Sequence, residues 1–309
     1  MQVTVVNARE LDIDRHIRLL REAFERSTWA NQIGATLTRE FYLWKYFSPV
    51  GETVISRVRD KGTIVSSVSA IPTLFRTPSG VKNGWQVGDI ATLPSQRSKG
   101  HYRTCLSALV EKLGSQLLVC FPNENSRRGI ESQGFGLAAD VLTFVRPLNP
   151  FATRSRLDDP GNSRITFGDF NPVDRDGSYS FFRNREYLEW RYKKNPACRY
   201  DIIQREEGYC VQRSFNIFGR KVGIVMEVAA RSERALADLI KESESVGAGK
   251  GMQANFIMTS PPLYPSLRRR YLRLPQVLLP KRQSLYFRAP GAEQVPADWN
   301  VQIGDWDGL

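Results

Sequence analysis

The sequence of 309 residues is poor in the side chains on which many enzymes depend. It has two histidines and four cysteines, and the cysteines form no Cys-x-x-Cys pair. We therefore expect neither a histidine-dependent nucleophile triad nor a zinc site, and we predict free thiols and no metal cofactor. The mechanisms that remain are those in which the protein positions an activated substrate and moves one proton.

Long hydrophobic runs are also missing. No window reaches the roughly 18 apolar residues of a membrane span, and the N-terminal segment MQVTVVNARELD has no apolar signal core. These absences predict a soluble, cytoplasmic protein without a membrane span. Apolar residues make up 41% of the chain, enough for a sizeable core, and the length is about twice that of a typical domain, which favours two domains.

The net charge of +12 implies attraction to an anionic partner. Nucleic acid, an acidic membrane surface and a phosphorylated ligand are all compatible with that charge. The basic residues cluster at Arg97–Lys99, Arg127–Arg128 and Arg268–Arg270, without a basic tail. A small ligand that carries phosphate accounts for the first two clusters.

Hydrophobic periodicity predicts the same order of elements in each half of the chain, separated by an aperiodic segment. The predicted domains are 1–148 and 164–309, with a linker at 149–163. Predicted helices are 13–24, Thr38–Phe47, 101–113, Asn123–Ser132, Glu186–Lys194, Glu233–Ser243 and Leu263–Leu272. Predicted strands are Val3–Val6, Thr53–Val58, Thr63–Ile71, Trp85–Leu93, Gln116–Phe121, Asp140–Val145, Tyr200–Arg205, Cys210–Ile217, Gly223–Ala230, Gln253–Met258 and Ser284–Arg288.

Two segments of the first half recur in the second. The letters of Arg39–Tyr46 match those of Arg185–Tyr192, and the segment Val87–Thr92 matches Val225–Ala230. The second match places an acid, Asp89 or Glu227, at the same point of the same strand. We interpret this as a tandem duplication.

A short turn joins a strand that ends at Thr92 to an amphipathic helix that begins near His101. The first N–H groups of a helix have no partner within it, and together with the helix dipole they attract phosphate. Gly100 allows the backbone to approach closely, and Arg97 and Lys99 add positive charge. An ordinary strand-to-helix connection with two solvated basic residues is the alternative.

Together with Asn123-x-x-Ser126 and Gly134-Phe135, this turn resembles the cofactor half of the GNAT superfamily of acyl-CoA N-acyltransferases. The resemblance covers residues 1–147 and continues more weakly over 163–290. It implies an α/β (α+β) fold of two tandem GNAT-like domains, each a mixed, mainly antiparallel sheet flanked by helices. The second copy is degenerate, because its turn Arg231–Arg234 has no glycine, and it would shape the acceptor site. One acyl-CoA site is predicted, in the first half.

The resemblance implies direct transfer of an acyl group, acetyl first of all, from CoA to an amine without a metal. The strand would splay from its neighbour after Thr92, and pantetheine would bind main-chain groups of Ile90 and Thr92 in the gap. The other implied contacts to the acyl donor are Arg97, Ser98, Lys99, Gly100, His101, Tyr102, Asn123 and Ser126. Two positions depart from the family: Tyr102 stands where Gly or Ala is usual, and Ile130 replaces the tyrosine that gives a proton to the leaving thiolate.

The predicted base is Asp89, on the strand before the turn. A carboxylate there can accept a proton from the attacking amine. The alternative is a structural ion pair with Lys45 or Arg191. Tyr42, on the helix that borders the acceptor side in GNAT folds, is predicted to pack in the core.

Three functions remain open at this point. The first is an N-acyltransferase that acts on a small-molecule amine, an amino sugar for example. The second is a transferase of the peptidoglycan-bridge type with aminoacyl-tRNA as donor, for which the net charge and Arg268–Arg270 are the motive. The third is a non-catalytic CoA-binding protein, which Ile130 motivates.

Overall fold

The computed structural model describes residues 2–24, 37–149, 167, 178–217, 219–260, 263–275, 283–291, 296 and 298–306. The chain divides into two compact units. Unit 1 is Met1–Ala139 with Gln283–Ala297, and unit 2 is Asp140–Arg282 with Asp298–Leu309. The predicted linker 149–163 lies, apart from residue 149, outside the described residues, so the predicted boundaries at 148 and 164 stay predictions.

Strands and helices of unit 1 follow the hydrophobic periodicity of the sequence. Its helices are α1 (Ile13–Phe24), α2 (Arg39–Tyr46), α3 (His101–Leu113) and α4 (Glu124–Glu131). Its strands are β1 (Gln2–Asn7), β2 (Phe47–Ser48), β3 (Gly51–Glu52), β4 (Val54–Asp60), β5 (Thr63–Thr77), β6 (Gly80–Thr92), β7 (Leu117–Cys120) and the start of β8 (Gly136–Pro147). Thr38 caps α2 by accepting a hydrogen bond from the N–H of Phe41, which explains why the helix begins there.

The sheet of unit 1 is mixed and mainly antiparallel. Strands β1, β4, β5 and β6 run antiparallel in that order, and β7 lies parallel to β6 after the crossover through α3. A late segment, β15 (Gln283–Arg288), pairs antiparallel with β7. The apolar face of α3 packs on this sheet, where Cys105, Leu106 and Leu109 are fully buried.

Unit 2 contains helices α5 (Arg185–Leu188), α6 (Glu233–Gly249) and α7 (Tyr264–Arg268). Its strands are β9 (Tyr179–Phe181), β10 (Asp201–Arg205), β11 (Gly208–Ile217), β12 (Arg220–Ala230), β13 (Ala254–Thr259), β14 (Leu272–Arg273) and β16 (Trp299–Asn300). Strands β10, β11 and β12 run antiparallel, and β13 is parallel to β12. The part of β8 from Leu142 to Pro147 completes the sheet, antiparallel to β13.

The last strand of each sheet comes from the other half of the sequence. Residues 142–147 belong to the sheet of unit 2, and residues 283–288 belong to the sheet of unit 1. Both segments were predicted as strands, but each was assigned to its own half. Hydrophobic periodicity indicates that a segment is a strand but not which strand it pairs with, so the sequence could not reveal this exchange.

Three helices of unit 2 differ in length from their predicted bounds. After α5 the chain continues as a π-helical turn, Glu189–Lys193, in place of one helix from Glu186 to Lys194. Helix α6 runs on past Ser243 to Gly249, and a side chain at Gly247 would be crowded by Leu148 and Met252. Helix α7 is shorter than the predicted Leu263–Leu272.

Candidate functional site

Strands β6 and β7 of unit 1 separate from each other before the helices that follow them, α3 and α4, begin. Their last paired residues are Val87 and Cys120, so the gap opens there and not after Thr92 as predicted. A β-bulge in β6 opposite Ser67–Ser69 accounts for the earlier position, because the extra residue turns the strand away from its neighbour. Asp89 lies in this bulge with φ of 44°, a left-handed conformation that Asp tolerates better than most residues.

Beyond the bulge, one edge of β6 faces the gap. The N–H of Leu93 donates to Val65 O on β5 at 3.0 Å, so Ala91 and Leu93 are the residues that pair with β5. Successive residues of a strand point their main-chain groups to opposite edges. The main-chain groups of Ile90 and Thr92 therefore point toward the gap, as a ligand bound along this edge requires.

The turn after β6 is shaped by two residues in the left-handed region. A 3₁₀ turn at Pro94–Gln96 is followed by Ser98 with φ of 64° and Gly100 with φ of 81°. Helix α3 then begins at His101, and Thr104 N–H is the first to bond within it, to Gly100 O. Among the described residues, the main-chain N–H groups from Ser98 to Arg103 meet no backbone acceptor. A helix start with N–H groups in this state is an arrangement that attracts anions.

The two basic side chains of the turn are exposed. Arg97 Nη2 donates to Ala23 O at the end of α1 at 2.9 Å, and Lys99 Nζ donates to Gln96 Oε1 at 3.0 Å. Both cations therefore remain at the surface beside the free N–H groups.

The side chains of His101 and Tyr102 are less exposed than the two basic side chains of the turn. The His101 imidazole is buried, so a contact from this residue to a phosphate would come from its main-chain N–H. Tyr102 is half-buried, and its hydroxyl donates to Ser126 O on α4 at 3.0 Å. The side chain thus extends from α3 across to α4.

Asn123 caps α4, as the sequence predicts. Its side-chain oxygen accepts from the N–H of Ser126 at 3.0 Å, and Ser126 Oγ accepts from the N–H of Asn123 at 3.1 Å. This capping box fixes the start of α4 immediately after β7. Gly134, with φ of 81°, terminates the segment after the helix.

Asp89 takes part in a buried hydrogen-bond network. Its carboxylate accepts from Lys45 Nζ at 2.8 Å and from Tyr46 Oη at 3.0 Å. The structural pairing with Lys45 is therefore present, whereas the alternative partner, Arg191, donates to main-chain oxygens of Gly304 and Trp306. Tyr42 is buried in the neighbouring core, as expected.

His16 extends this network. Its Nε2 lies 2.8 Å from Tyr46 Oη, and because the tyrosine donates to Asp89, the imidazole is the donor to Tyr46. Burial, and then the charges of Arg57 and Lys45, lower the pKa of His16 to about 4. Burial and the nearby Asp89 raise the pKa of Tyr46 well above its ordinary value. Near neutral pH both the His16 imidazole and the Tyr46 phenol are therefore neutral.

The corresponding acid of unit 2 is fully buried. Glu227 accepts from Tyr192 Oη at 2.7 Å and from Tyr209, and it pairs with Arg183 Nε at 2.8 Å. Arg183 also pairs with Asp305. Burial raises the pKa of Asp305 to about 6, against the opposing effect of Arg183. Tyr46 and Tyr192, which the sequence repeat aligns, thus make the same bond to the aligned acid.

Unit 2 also has a gap between parallel strands, and the chain's own C-terminal segment fills it. Pairing of β12 with β13 ends at Val225 and Ile257. Beyond that point Gln302 forms a bridge with Thr259, and its side-chain amide bonds both main-chain groups of Val228, at 2.8 and 3.0 Å. Val228 is the residue that the repeat aligns with Ile90.

Sequence reasoning did not assign roles to His16, Tyr46, Arg183 or Gln302. The sequence carries a signal for one of them, because Tyr46 and Tyr192 hold the same position in the two matching segments, and the other pair of matching segments aligns Asp89 with Glu227. The other three depend on contacts between distant parts of the chain.

Within the described ranges, no helix is long and apolar enough to cross a membrane. The same ranges contain no group of His, Cys, Asp and Glu arranged to hold a metal ion. No disulfide links the four cysteines, all of which lie in the described ranges.

A comparison with protein families finds a match to the first part of the chain. Residues 4–137 match the family model of the acetyltransferase (GNAT) domain. No curated protein matches the sequence.

Solved structures match over nearly the whole chain. A GCN5-related N-acetyltransferase from Anabaena variabilis has a TM-score of 0.61 at 9% identity, covering 93% of this chain and 72% of its own. A probable N-acyltransferase from Enterococcus faecalis has a TM-score of 0.60 at 12% identity, covering 94% and 73%. Eis1 from Mycobacterium abscessus has a TM-score of 0.56 at 14% identity, covering 94% and 74%. At sequence identities this low, the similarity shows a shared fold and nothing more.

Proposed function

We propose that this chain, in which residues 4–137 are an acetyltransferase domain of the GNAT family, moves an acyl group from acyl-CoA directly to the amine of a small molecule. Acetyl-CoA is the proposed donor, and an amino sugar is one class of proposed acceptor. The observation that carries the proposal is the open edge of β6, with main-chain groups of Ile90 and Thr92 facing the gap beside a run of free N–H groups.

The turn suits the diphosphate of CoA. Free N–H groups from Ser98 to Arg103 provide donors, the dipole of α3 provides partial positive charge, and Arg97 and Lys99 lie at the rim. An added Cβ on Gly100 would meet nothing within 4 Å, so the space in front of this residue is open to a ligand. The donor set therefore fits an anion.

The edge of β6 suits pantetheine. An extended chain with two amide groups can bond a strand edge as an added strand does. Ile90 and Thr92 offer such groups, and Asn123 with Ser126 stands where β7 passes into α4. In this proposal the pantetheine arm lies between β6 and the start of α4, with the thioester near the bulge at Asp89.

Asp89 is the proposed proton acceptor. Lys45 and Tyr46 hold its carboxylate in one orientation, and 10% of the side-chain surface remains exposed. A carboxylate paired with lysine is a weak base toward a free ammonium ion. It is strong enough once the amine nitrogen has attacked the thioester and its proton has become acidic.

The assay for this function is release of free CoA thiol from acetyl-CoA across a panel of amines. We expect turnover with at least one amine and a loss of about 10²-fold or more in kcat for Asp89→Asn. The control is Asp14→Asn, which removes an exposed acid that pairs with Arg39, and it should retain full activity. Equal activity of Asp89→Asn and wild type would refute the assignment of the base.

Two other functions make different predictions. Ile130 has no exposed surface and lies in the apolar core, which favours a non-catalytic CoA-binding protein; that protein would bind CoA and acylate no amine. Arg268 and Arg269 are exposed, which favours an aminoacyl-tRNA donor. A tRNA complex that survives moderate salt would support the tRNA donor, whereas non-specific attraction disappears under those conditions. Cytoplasmic location stays part of the proposal.

A further inference from the structure

Helix α1 carries a histidine into the interior of unit 1 that the proposed mechanism does not use. The His16 side chain has no exposed surface, and within the described residues its Nδ1 has no hydrogen-bond partner. A buried polar atom without a partner lowers the stability of a fold, so an apolar residue would suit this position better. The hydrogen bond that the imidazole does make joins Nε2 to Tyr46 Oη, at 2.8 Å. A role for His16 therefore depends on this bond.

The phenol oxygen of Tyr46 has three polar neighbours. Asp89 Oδ2 lies 3.0 Å away, His16 Nε2 2.8 Å and Ser69 Oγ 3.2 Å. A hydroxyl has one proton to donate and two lone pairs with which to accept. Because Asp89 receives the proton, the imidazole and the serine donate to the two lone pairs. The N–H of His16 thus closes a direction in which the tyrosine proton could otherwise turn, and the hydroxyl stays directed at Asp89.

Asp89 depends on such support more than an ordinary strand residue does. It lies in a β-bulge with φ of 44°, so the regular pairing of β5 with β6 does not fix its direction. Its two side-chain bonds come from adjacent residues of α2, Lys45 to Oδ1 and Tyr46 to Oδ2. We infer that His16 is a positioning residue for acyl transfer, which fixes Asp89 by holding the Tyr46 hydroxyl. This inference rests on the proposed function, in which Asp89 is the base.

The direction of the Asp89 side chain matters because a base must lie within hydrogen-bond reach of the proton that it takes. Of this side chain, 10% is exposed, so a substrate can meet only a small part of it. A displacement of about 1 Å in such a group can cost about 10²-fold in rate. Loss of the support from His16 leaves the bond from Lys45 in place, so we expect a smaller loss, of about tenfold.

Unit 2 contains the same bond in a setting where no substrate can reach it. Tyr192, which the matching segments align with Tyr46, donates to Glu227 at 2.7 Å. Glu227 also bonds Tyr209 and Arg183, and its side chain is 1% exposed. Tyr192 is therefore a matched control, a tyrosine that supports a buried acid without a part in the reaction.

The primary test compares His16→Leu with His16→Gln in the release of CoA thiol from acetyl-CoA. Leucine fills the buried space without a donor, whereas the glutamine amide can still donate to Tyr46 Oη. We expect His16→Leu to lower kcat by about tenfold, while KM for the amine and the Kd for CoA stay within about twofold. His16→Gln should keep kcat within about twofold of wild type. Urea denaturation verifies that both variants are folded at the pH of the assay.

A double-mutant cycle tests whether His16 acts through Tyr46. Tyr46→Phe should lower kcat at least as much as His16→Leu does. Adding His16→Leu to Tyr46→Phe should then cause no further loss, because the hydroxyl that His16 holds is already missing. Tyr192→Phe, the matched change in unit 2, should leave kcat unchanged.

The outcomes separate this inference from the proposed function. Equal kcat values for His16→Leu and His16→Gln in an active enzyme would overturn the inference and leave the proposed function standing. So would additive losses in the double variant, or a loss in Tyr192→Phe equal to that in Tyr46→Phe. Absence of turnover in the wild type, with any amine, would overturn both.

Discussion

Each unit has a gap where two parallel strands part, but the two gaps are used differently. In unit 1, no described strand pairs with the edge of β6 beyond Val87 on the side of β7. In unit 2, the matching edge of β12 is bonded at Val228 by the side chain of Gln302. The described strands of unit 1 therefore leave this edge unpaired, whereas unit 2 satisfies its main-chain groups within the chain.

The two aligned acids, Asp89 in unit 1 and Glu227 in unit 2, also differ in how far they are covered. The Asp89 side chain is 10% exposed and pairs with Lys45, whereas the Glu227 side chain is 1% exposed and shares Arg183 with Asp305. A tyrosine bonds each acid in the same way. An acid at this strand position is therefore compatible with a half-open environment or with a sealed core, depending on what covers the strand edge.

The largest expected effect on stability is at Arg183. Arg183→Met leaves Glu227 and Asp305 buried without their common cation, so we expect a loss of about 3–5 kcal/mol in the free energy of unfolding. Urea denaturation measures it. Arg183→Lys should lose less because it keeps the charge, and Lys45→Met should lose less because Asp89 retains some contact with water. A smaller loss at Arg183 than at Lys45 would contradict the proposed contrast.

The next largest expected effect is a dependence of the folding stability on pH, which arises from His16 in unit 1. The pKa of His16 is about 4 in the folded state, against about 6.5 in an unfolded chain. Between these values the unfolded chain binds the proton and the folded protein does not, so stability falls as pH is lowered from 6.5 toward 4, by about 3 kcal/mol in all.

His16→Gln isolates this effect, because the amide can still donate to Tyr46. The wild type should lose stability relative to the variant as pH falls through that range, and the comparison at each pH cancels the opposite trend that the raised pKa of Asp305 produces. A stability difference that is constant from pH 7 to pH 4 would show that His16 is not held neutral.

A smaller effect is expected at Gln302. Gln302→Leu leaves the N–H and C=O of Val228 without partners in a buried position, at a cost of about 1–3 kcal/mol. Hydrogen exchange should show faster exchange of the Val228 N–H. Unchanged exchange in Gln302→Leu would mean that the side chain does not cover this edge.

The sequence predicted most elements of the fold because strands and helices follow local patterns. The cap at Asn123 and the helix starting at Thr38 follow from residues within four positions of each other. The gap was placed too late, after Thr92, because nothing local marks the bulge at Asp89. The exchange of β8 and β15 and the role of Gln302 depend on pairings across more than 70 residues, which no local pattern encodes.

Within the candidate site the sequence identified the turn and its glycine but not the contacts of Tyr102. The hydroxyl of this tyrosine bonds Ser126 O on α4, and its ring lies against Gly129 of the same helix. The spacing of these two residues from Tyr102 in the sequence carries no signal for that contact.

The most direct test of one open and one filled gap is calorimetric titration of the chain with CoA. We predict one molecule of CoA per chain, with affinity reduced by about 100-fold in Gly100→Glu because the new carboxylate repels the diphosphate. Gly62→Glu is the matched control, since Gly62 has the same φ of 81° and equally open space but lies in the turn between β4 and β5. Binding of two molecules per chain, or full affinity in Gly100→Glu, would contradict the account.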